Sequence, residues 1–74
     1  MVIQCVRFSD GGYVLHKITG AFSGRVSAWF DKTGHLITCE QLIGEQSRPV
    51  KTDAAIWQYV QHIGRTYGRL VVTK

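Results

Sequence analysis

The sequence predicts an α+β fold: an antiparallel β-meander of about four strands followed by one amphipathic helix packed on one face of the sheet. Short runs of β-branched and apolar residues alternate with glycine-containing turns up to residue 43. A helical period of apolar residues appears only near the C-terminus. Eight glycines against one proline also suit short strands joined by tight turns.

The first two predicted strands are residues 2–8 (VIQCVRF) and 13–19 (YVLHKIT). The segment between them, residues 9–12, is Ser-Asp-Gly-Gly. Glycine adopts the positive φ that hairpin turns require, so this pattern predicts a β-hairpin. Glycines bracket the next connection, residues 20–24.

Residues 25–31 and 35–43 are predicted to form a second hairpin, with Gly34 in the left-handed position of its turn. Two registers remain open. A three-residue loop would align Phe30 with Leu36, Trp29 with Ile37 and Ala28 with Thr38. A two-residue loop would align Phe30 with Ile37, and that shift by one residue changes which side chains share a face.

The third strand alternates between a face suited to the core and a face suited to solvent. The core set is Val26, Ala28 and Phe30, and the solvent set is Arg25, Ser27, Trp29 and Asp31. The returning strand carries apolar residues on both faces. One short helix is too little to cover such a sheet, so we expect a second protomer or a curled sheet.

Residues 44–51 (GEQSRPVK) are predicted to be a polar linker, and Thr52 or Asp53 to cap the helix that follows, residues 53–67. Gly68 is expected to end the helix, and residues 70–72 to pack on the core or add a short edge strand. The apolar stripe of the helix consists of Ile56, Tyr59, Val60, Ile63 and Tyr67.

With 74 residues the chain has room for one domain, 1–74, and its net charge of +4 favours anionic partners weakly. No apolar run approaches the length of a membrane span, and no secretory leader is apparent, so we expect a cytoplasmic protein without membrane contact. Cys5 and Cys39 lie in apolar stretches and are expected to be reduced thiols, although a cross-strand disulfide stays open.

Catalytic, metal and cofactor sites are not predicted. The only nucleophile and base that could pair are Cys39 and one of the three histidines, and a thiol among apolar neighbours is inert. The cysteines and histidines lack the close spacing of zinc ligands. We therefore expect a small binding module and not an enzyme.

Nucleic acid is the ligand that the sequence favours first. Arg25, Ser27 and Trp29 would project from one face in a row, so that an indole could stack on a base beside a guanidinium on phosphate. The predicted nucleic-acid-binding residues are Arg7, Lys17, Arg25, Trp29, Arg48 and Lys51.

The alternative is a protein-interaction module, an inhibitor or an assembly subunit, that acts as a homodimer. Tryptophan is enriched at binding hot spots, and a dimer would relieve the small core of so short a chain. The predicted interface residues are Trp29, Ile37 and Trp57.

Overall fold

The structure is a computed structural model that describes the backbone of residues 4–72 and the side chains of residues 4–66. It contains five strands and one helix: β1 Gln4–Arg7, β2 Tyr13–Ile18, β3 Arg25–Phe30, β4 Leu36–Ile43, β5 Gln46–Pro49 and α1 Ala55–Val72. The strands form one antiparallel sheet in the order of the chain, β1-β2-β3-β4-β5. The predicted α+β class is confirmed, with five strands instead of four.

The β1–β2 and β3–β4 hairpins close through turns of the same geometry. In each, a glycine with positive φ follows the turn: Gly11 at +93° and Gly34 at +86°. The amide of Gly34 donates to the Asp31 carbonyl at 3.0 Å, and the amide of Asp31 donates to the His35 carbonyl at 3.0 Å. This is the three-residue loop with a left-handed glycine that the sequence predicts.

A β-bulge at Ile37 combines the two registers that the sequence leaves open. Phe30 pairs with Leu36, as the three-residue loop requires. The register then shifts, so that Trp29 pairs with Thr38, and Ala28 with Cys39, as in the two-residue alternative. The predicted pairs Trp29–Ile37 and Ala28–Thr38 are therefore wrong, because one extra residue is inserted in β4.

Residues 44–51 are not a linker, because β5 occupies half of them and a hairpin turn precedes it. Ile43 pairs with Gln46 across a two-residue turn that starts with Gly44 at φ +61°. Glycine with positive φ at the first central position is typical of a type II′ hairpin. The polarity of β5 fits its place at the edge of the sheet, where both faces are exposed.

The core lies between one face of the sheet and α1, which contacts β2, β3 and β4. Leu15, Ile18, Val26, Ala28 and the rest of the core side chains on this face are at most 3% exposed. Val60 and Ile63 of α1 complete the cluster, as the apolar stripe predicts, while Ile56 and Trp57 pack against it half-buried and Tyr59 is 38% exposed. The side chain of Tyr67 lies outside the described residues.

Close contact between helix and sheet depends on Gly64. A Cβ at this position would overlap the ring of Phe30, and even the third-nearest ring atom, Cε1, would lie only 2.8 Å away. Phe30 stacks on Tyr13 at a centroid distance of 5.0 Å, and the Tyr13 hydroxyl donates to the Gly64 carbonyl at 3.1 Å. Helix and sheet are thus joined at one point by packing and by a buried hydrogen bond.

Both ends of α1 differ from the prediction. The helix begins at Ala55 and has no acid in its first turn; Thr52 contacts it through its carbonyl, which accepts a bond from the Gln58 side chain at 3.4 Å. At the other end the helix continues through Gly68 to Val72, so neither the cap at Gly68 nor an edge strand at residues 70–72 forms. In the described part of the chain, no helix is long and apolar enough to cross a membrane. Residues 2 and 3 of the first predicted strand lie outside the described residues.

Candidate functional site

The sheet face opposite α1, called the open face below, is not covered by any of the described elements. The registers place three rows of side chains on it. The first row is Val6, Val14, Trp29 and Thr38; the second is Gln4, His16, Ser27, Glu40 and Pro49; the third is Arg25, Leu42 and Ser47. Val14 is only 3% exposed, but α1 covers only the other face, so the exposed side chains of this surface are available to a binding partner.

Trp29 is held in the open face by its neighbours on β2. Its indole and the ring of His16 form a T-shaped pair, with centroids 6.1 Å apart and an interplanar angle of 87°. His16 is itself held by a 2.9 Å hydrogen bond between its Nδ1 and the hydroxyl of Ser27. The indole is half-buried and has a defined orientation, as a recognition residue requires.

A groove of about 450 Å³, called the end groove below, lies where the β1–β2 turn and the β3–β4 turn meet. Its walls include the side chains of Phe8, Trp29 and Ile37, of which Phe8 is 42% and Ile37 60% exposed. Its lining is completed by Asp10, Gly12, Phe30, Asp31 and Lys32. Aromatic, aliphatic and charged groups therefore meet in one concave site.

The two aspartates of the end groove are held by their own turns. Asp10 Oδ1 accepts a hydrogen bond from the Gly12 amide at 2.9 Å. Asp31 Oδ1 accepts bonds from the Thr33 hydroxyl at 2.6 Å, the Thr33 amide at 2.9 Å and the His35 amide at 3.0 Å. These bonds, that from the Thr33 hydroxyl first, lower the pKa of Asp31 from 3.8, so its carboxylate is charged at neutral pH.

The residues predicted to bind nucleic acid are dispersed over the molecule. Arg25 and Trp29 share the open face, and Lys17, at φ +61°, lies in a bulge of β2 where it and His16 oppose Ser27. Arg7 and Arg48 belong by register to the helix side of the two edge strands, and Lys51 lies in the turn before α1. The structure brings together only the first three.

The predicted interface residues divide between the two faces. Trp29 and Ile37 both line the end groove. Trp57 is on α1, half-buried against the core on the other side of the sheet. Two of the three residues therefore lie in one site, and Trp57 lies apart from them, packed against the core.

The cysteines are too far apart to form a disulfide and are free thiols. Cys5 aligns with Leu15, Leu15 with Ala28, and Ala28 with Cys39, so three strand spacings, roughly 14 Å, separate the two. Burial, with a smaller contribution from Glu40, raises the pKa of Cys39 to about 11, which makes the thiol a poor nucleophile. No group of three or more metal-ligating side chains occurs among the described residues.

Several residues of this site were not predicted from the sequence, among them Phe8, Asp10 and His16. The alternation of β1 places Val6 and Phe8 on one side, and this signal is present in the sequence once the hairpin register is known. Comparison with known proteins finds no matching family model, no matching curated protein and no matching solved structure.

Proposed function

We propose that this protein is a non-enzymatic protein-interaction module that binds a second copy of itself through the open face. The observation that carries the proposal is the grouping of exposed apolar side chains on that face. Phe8 and Ile37 flank the half-buried Trp29, and Val6 and Leu42 are 41% and 38% exposed on the same side. Apolar groups clustered around a tryptophan are typical of an interface centre.

Charge also favours a protein partner over nucleic acid. The open face and its end groove carry acidic as well as basic groups: Arg25, Lys17 and Lys32 against Glu40, Asp10 and Asp31. A surface that binds phosphates concentrates cations and excludes carboxylates. Mixed charge around an apolar centre suits a partner whose own surface carries both signs.

Sedimentation velocity between 1 and 500 μM, concentrations of the order where weak interfaces form, tests the proposal. We expect a monomer–dimer equilibrium that Trp29→Ala weakens. Ile37→Ser and Ile43→Ser form a matched pair, because both remove an exposed isoleucine from β4, but Ile43 lies by register on the helix side. Ile37→Ser should weaken the dimer and Ile43→Ser should not. A protein that stays monomeric throughout this range would refute the proposal.

The second candidate is binding of single-stranded nucleic acid along β3. The row formed by Arg25, Ser27 and Trp29 and the net charge of +4 favour it. Fluorescence anisotropy with labelled oligonucleotides at low salt tests it. Binding through this row should fall steeply with salt and should weaken in Arg25→Gln but not in Arg48→Gln. Absence of binding at low salt would eliminate this candidate.

We also propose that the protein acts in the cytoplasm, without a cofactor. Two free thiols that the fold keeps apart suit a reducing compartment. The raised pKa of Cys39 supports a packing role for this residue. A functional fluorescent fusion that localised outside the cytoplasm would contradict this assignment.

A further inference from the structure

We propose that the dimer is completed by Arg25, whose guanidinium in each copy occupies the end groove of the other copy, against Trp29 and close to Asp10 and Asp31. This inference rests on the proposed function, because it specifies how the open faces of two copies meet. Neither groove would be filled in the monomer, so each site would need the residue that the partner contributes. The interface is isologous, with two identical Arg25 contacts related by a twofold axis.

The geometry of β3 supports this arrangement. Arg25, Ser27 and Trp29 project from the open face of the central strand, with Ser27 midway between the other two. Arg25 and Trp29 are four residues apart, about 13 Å along the strand. A twofold axis between the two sheets, perpendicular to β3 at Ser27, reverses the strand direction and places Arg25 over the partner's Trp29.

The same axis brings apolar groups together on β4. Each β4 then lies over the partner's β4 and runs in the opposite direction. Leu42 is the neighbour of Arg25 on β4, and it therefore lies over the end of the partner's strand that carries Ile37. These residues are 38% and 60% exposed, which makes them available for burial. Face-to-face sheets pack about 10 Å apart, a gap that an arginine side chain can span. Charge and apolar complementarity thus specify the same orientation.

The end groove has the chemistry that a guanidinium requires. The indole of Trp29 offers a π face for cation–π contact, and Asp10 and Asp31 provide carboxylate oxygens. Each aspartate uses its Oδ1 in the bonds that hold its turn. The Oδ2 atoms remain for a ligand. Lys32 also lines the groove and opposes a cation there.

The size of the open face predicts a weak dimer. Five strands about 4.8 Å apart and about 20 Å long present a planar area on the order of 400 Å². A standard interface buries about 800 Å² of accessible surface on each partner. We therefore expect a dissociation constant on the order of micromolar or weaker, a range in which single charges change the equilibrium measurably.

Three charge reversals test the inference: Arg25→Glu, Lys32→Glu and Arg48→Glu. Each lowers the net charge from +4 to +2, so relief of general repulsion would tighten all three dimers alike. Contact of Arg25 with the end groove predicts three different results. In sedimentation at low salt, Arg25→Glu should weaken the dimer about tenfold or more, because it opposes two pairs of aspartates. Lys32→Glu should tighten it about threefold, and Arg48→Glu, on the helix side, should change it less than about twofold.

The outcomes separate this inference from the proposed function. A monomeric wild-type protein would refute both. A dimer that Ile37→Ser weakens, but whose affinity changes equally in the three charge variants, would retain the open-face dimer and overturn the Arg25 contact. Asp10→Asn/Asp31→Asn keeps the amide-accepting oxygens of both turns and removes only the charges, so it should weaken the dimer while circular dichroism is unchanged. A dimer unaffected by this double substitution would also overturn the contact.

Discussion

Gly64→Ala should destabilise the protein although alanine is the better helix former. Gly64 is buried in the middle of α1, where its missing side chain makes room for the ring of Phe30. In an exposed helix the substitution would stabilise by about 1 kcal/mol. Here the added methyl would overlap the ring of Phe30. The nearest ring atom would have to move more than about 1 Å away to reach normal van der Waals distance, so helix and sheet must separate.

Three losses set the magnitude. Overpacking of a filled core costs about 1–3 kcal/mol. Separation also weakens the bond from the Tyr13 hydroxyl to the Gly64 carbonyl, about 0.5–1.5 kcal/mol, and the stacking of Tyr13 on Phe30, about 0.5–1.5 kcal/mol. After the gain in helix propensity is subtracted, we expect a net loss of about 1–5 kcal/mol. A chain of this length has a total stability of about 4–11 kcal/mol, so the variant loses a large share of it.

Urea denaturation followed by circular dichroism measures this loss. Gly44→Ala is the control, because Gly44 has positive φ but no atom within 4 Å of an added Cβ, so only backbone strain of about 1–2 kcal/mol is expected. Combining Gly64→Ala with Phe30→Leu should recover part of the loss, since a smaller side chain leaves room for the methyl. A Gly64→Ala protein at least as stable as the wild type would refute the close approach of α1 to Phe30.

Two further predictions concern pH. Asp31 has a lowered pKa in the folded state, so its contribution to stability is present above about pH 3.8 and is lost as pH falls through its folded pKa. Between pH 5 and 2, the urea midpoint of Asp31→Asn should therefore fall less than that of the wild type. Cys39 has a raised pKa in the folded state, so its contribution to stability is present below pH 9.0 and is lost as pH rises towards about 11. Cys39→Ala should therefore lose less stability than the wild type at alkaline pH. At pH 8 the Cys39 thiol should react with Ellman's reagent only as fast as the fold opens, and rapid labelling of the native protein would contradict its burial.

Local patterns were enough to predict the fold class and the faces of β3. Gly34 specifies its turn because few other residues tolerate that backbone conformation, and the alternation from Arg25 to Phe30 specifies one buried face. The same rule predicts that Trp29 projects away from the core. These features depend only on neighbours in the chain.

Features that depend on distant contacts were missed. β5 (QSRP) has no β-branched or aromatic residue, and its strand conformation depends on pairing with β4 rather than on its composition. Its one local signal was Gly44-Glu45, a two-residue turn of the type II′ pattern. The bulge at Ile37 has no local signal in the sequence, because it depends on two separate requirements. The three-residue turn pairs Phe30 with Leu36, while packing in the core pairs Ala28 with Cys39. Because residues 44–51 were predicted to be a linker, the edge strand β5, which places Arg48 on the helix side of the sheet, was not predicted.

The apolar residues on the two faces of the sheet are accounted for separately. One helix does cover its own face: every core side chain there is almost fully buried, because Gly64 lets α1 approach closely. Apart from Ile43, at the end of β4 on the helix side, the exposed apolar groups on the sheet belong to the open face or its end groove and not to the core. The bulge adds Ile37 to that surface, at the end opposite Arg25 and Leu42. An interface that joins opposite ends by a twofold axis needs such an asymmetry along the strands, because a face with the same groups at both ends would not distinguish parallel from antiparallel packing.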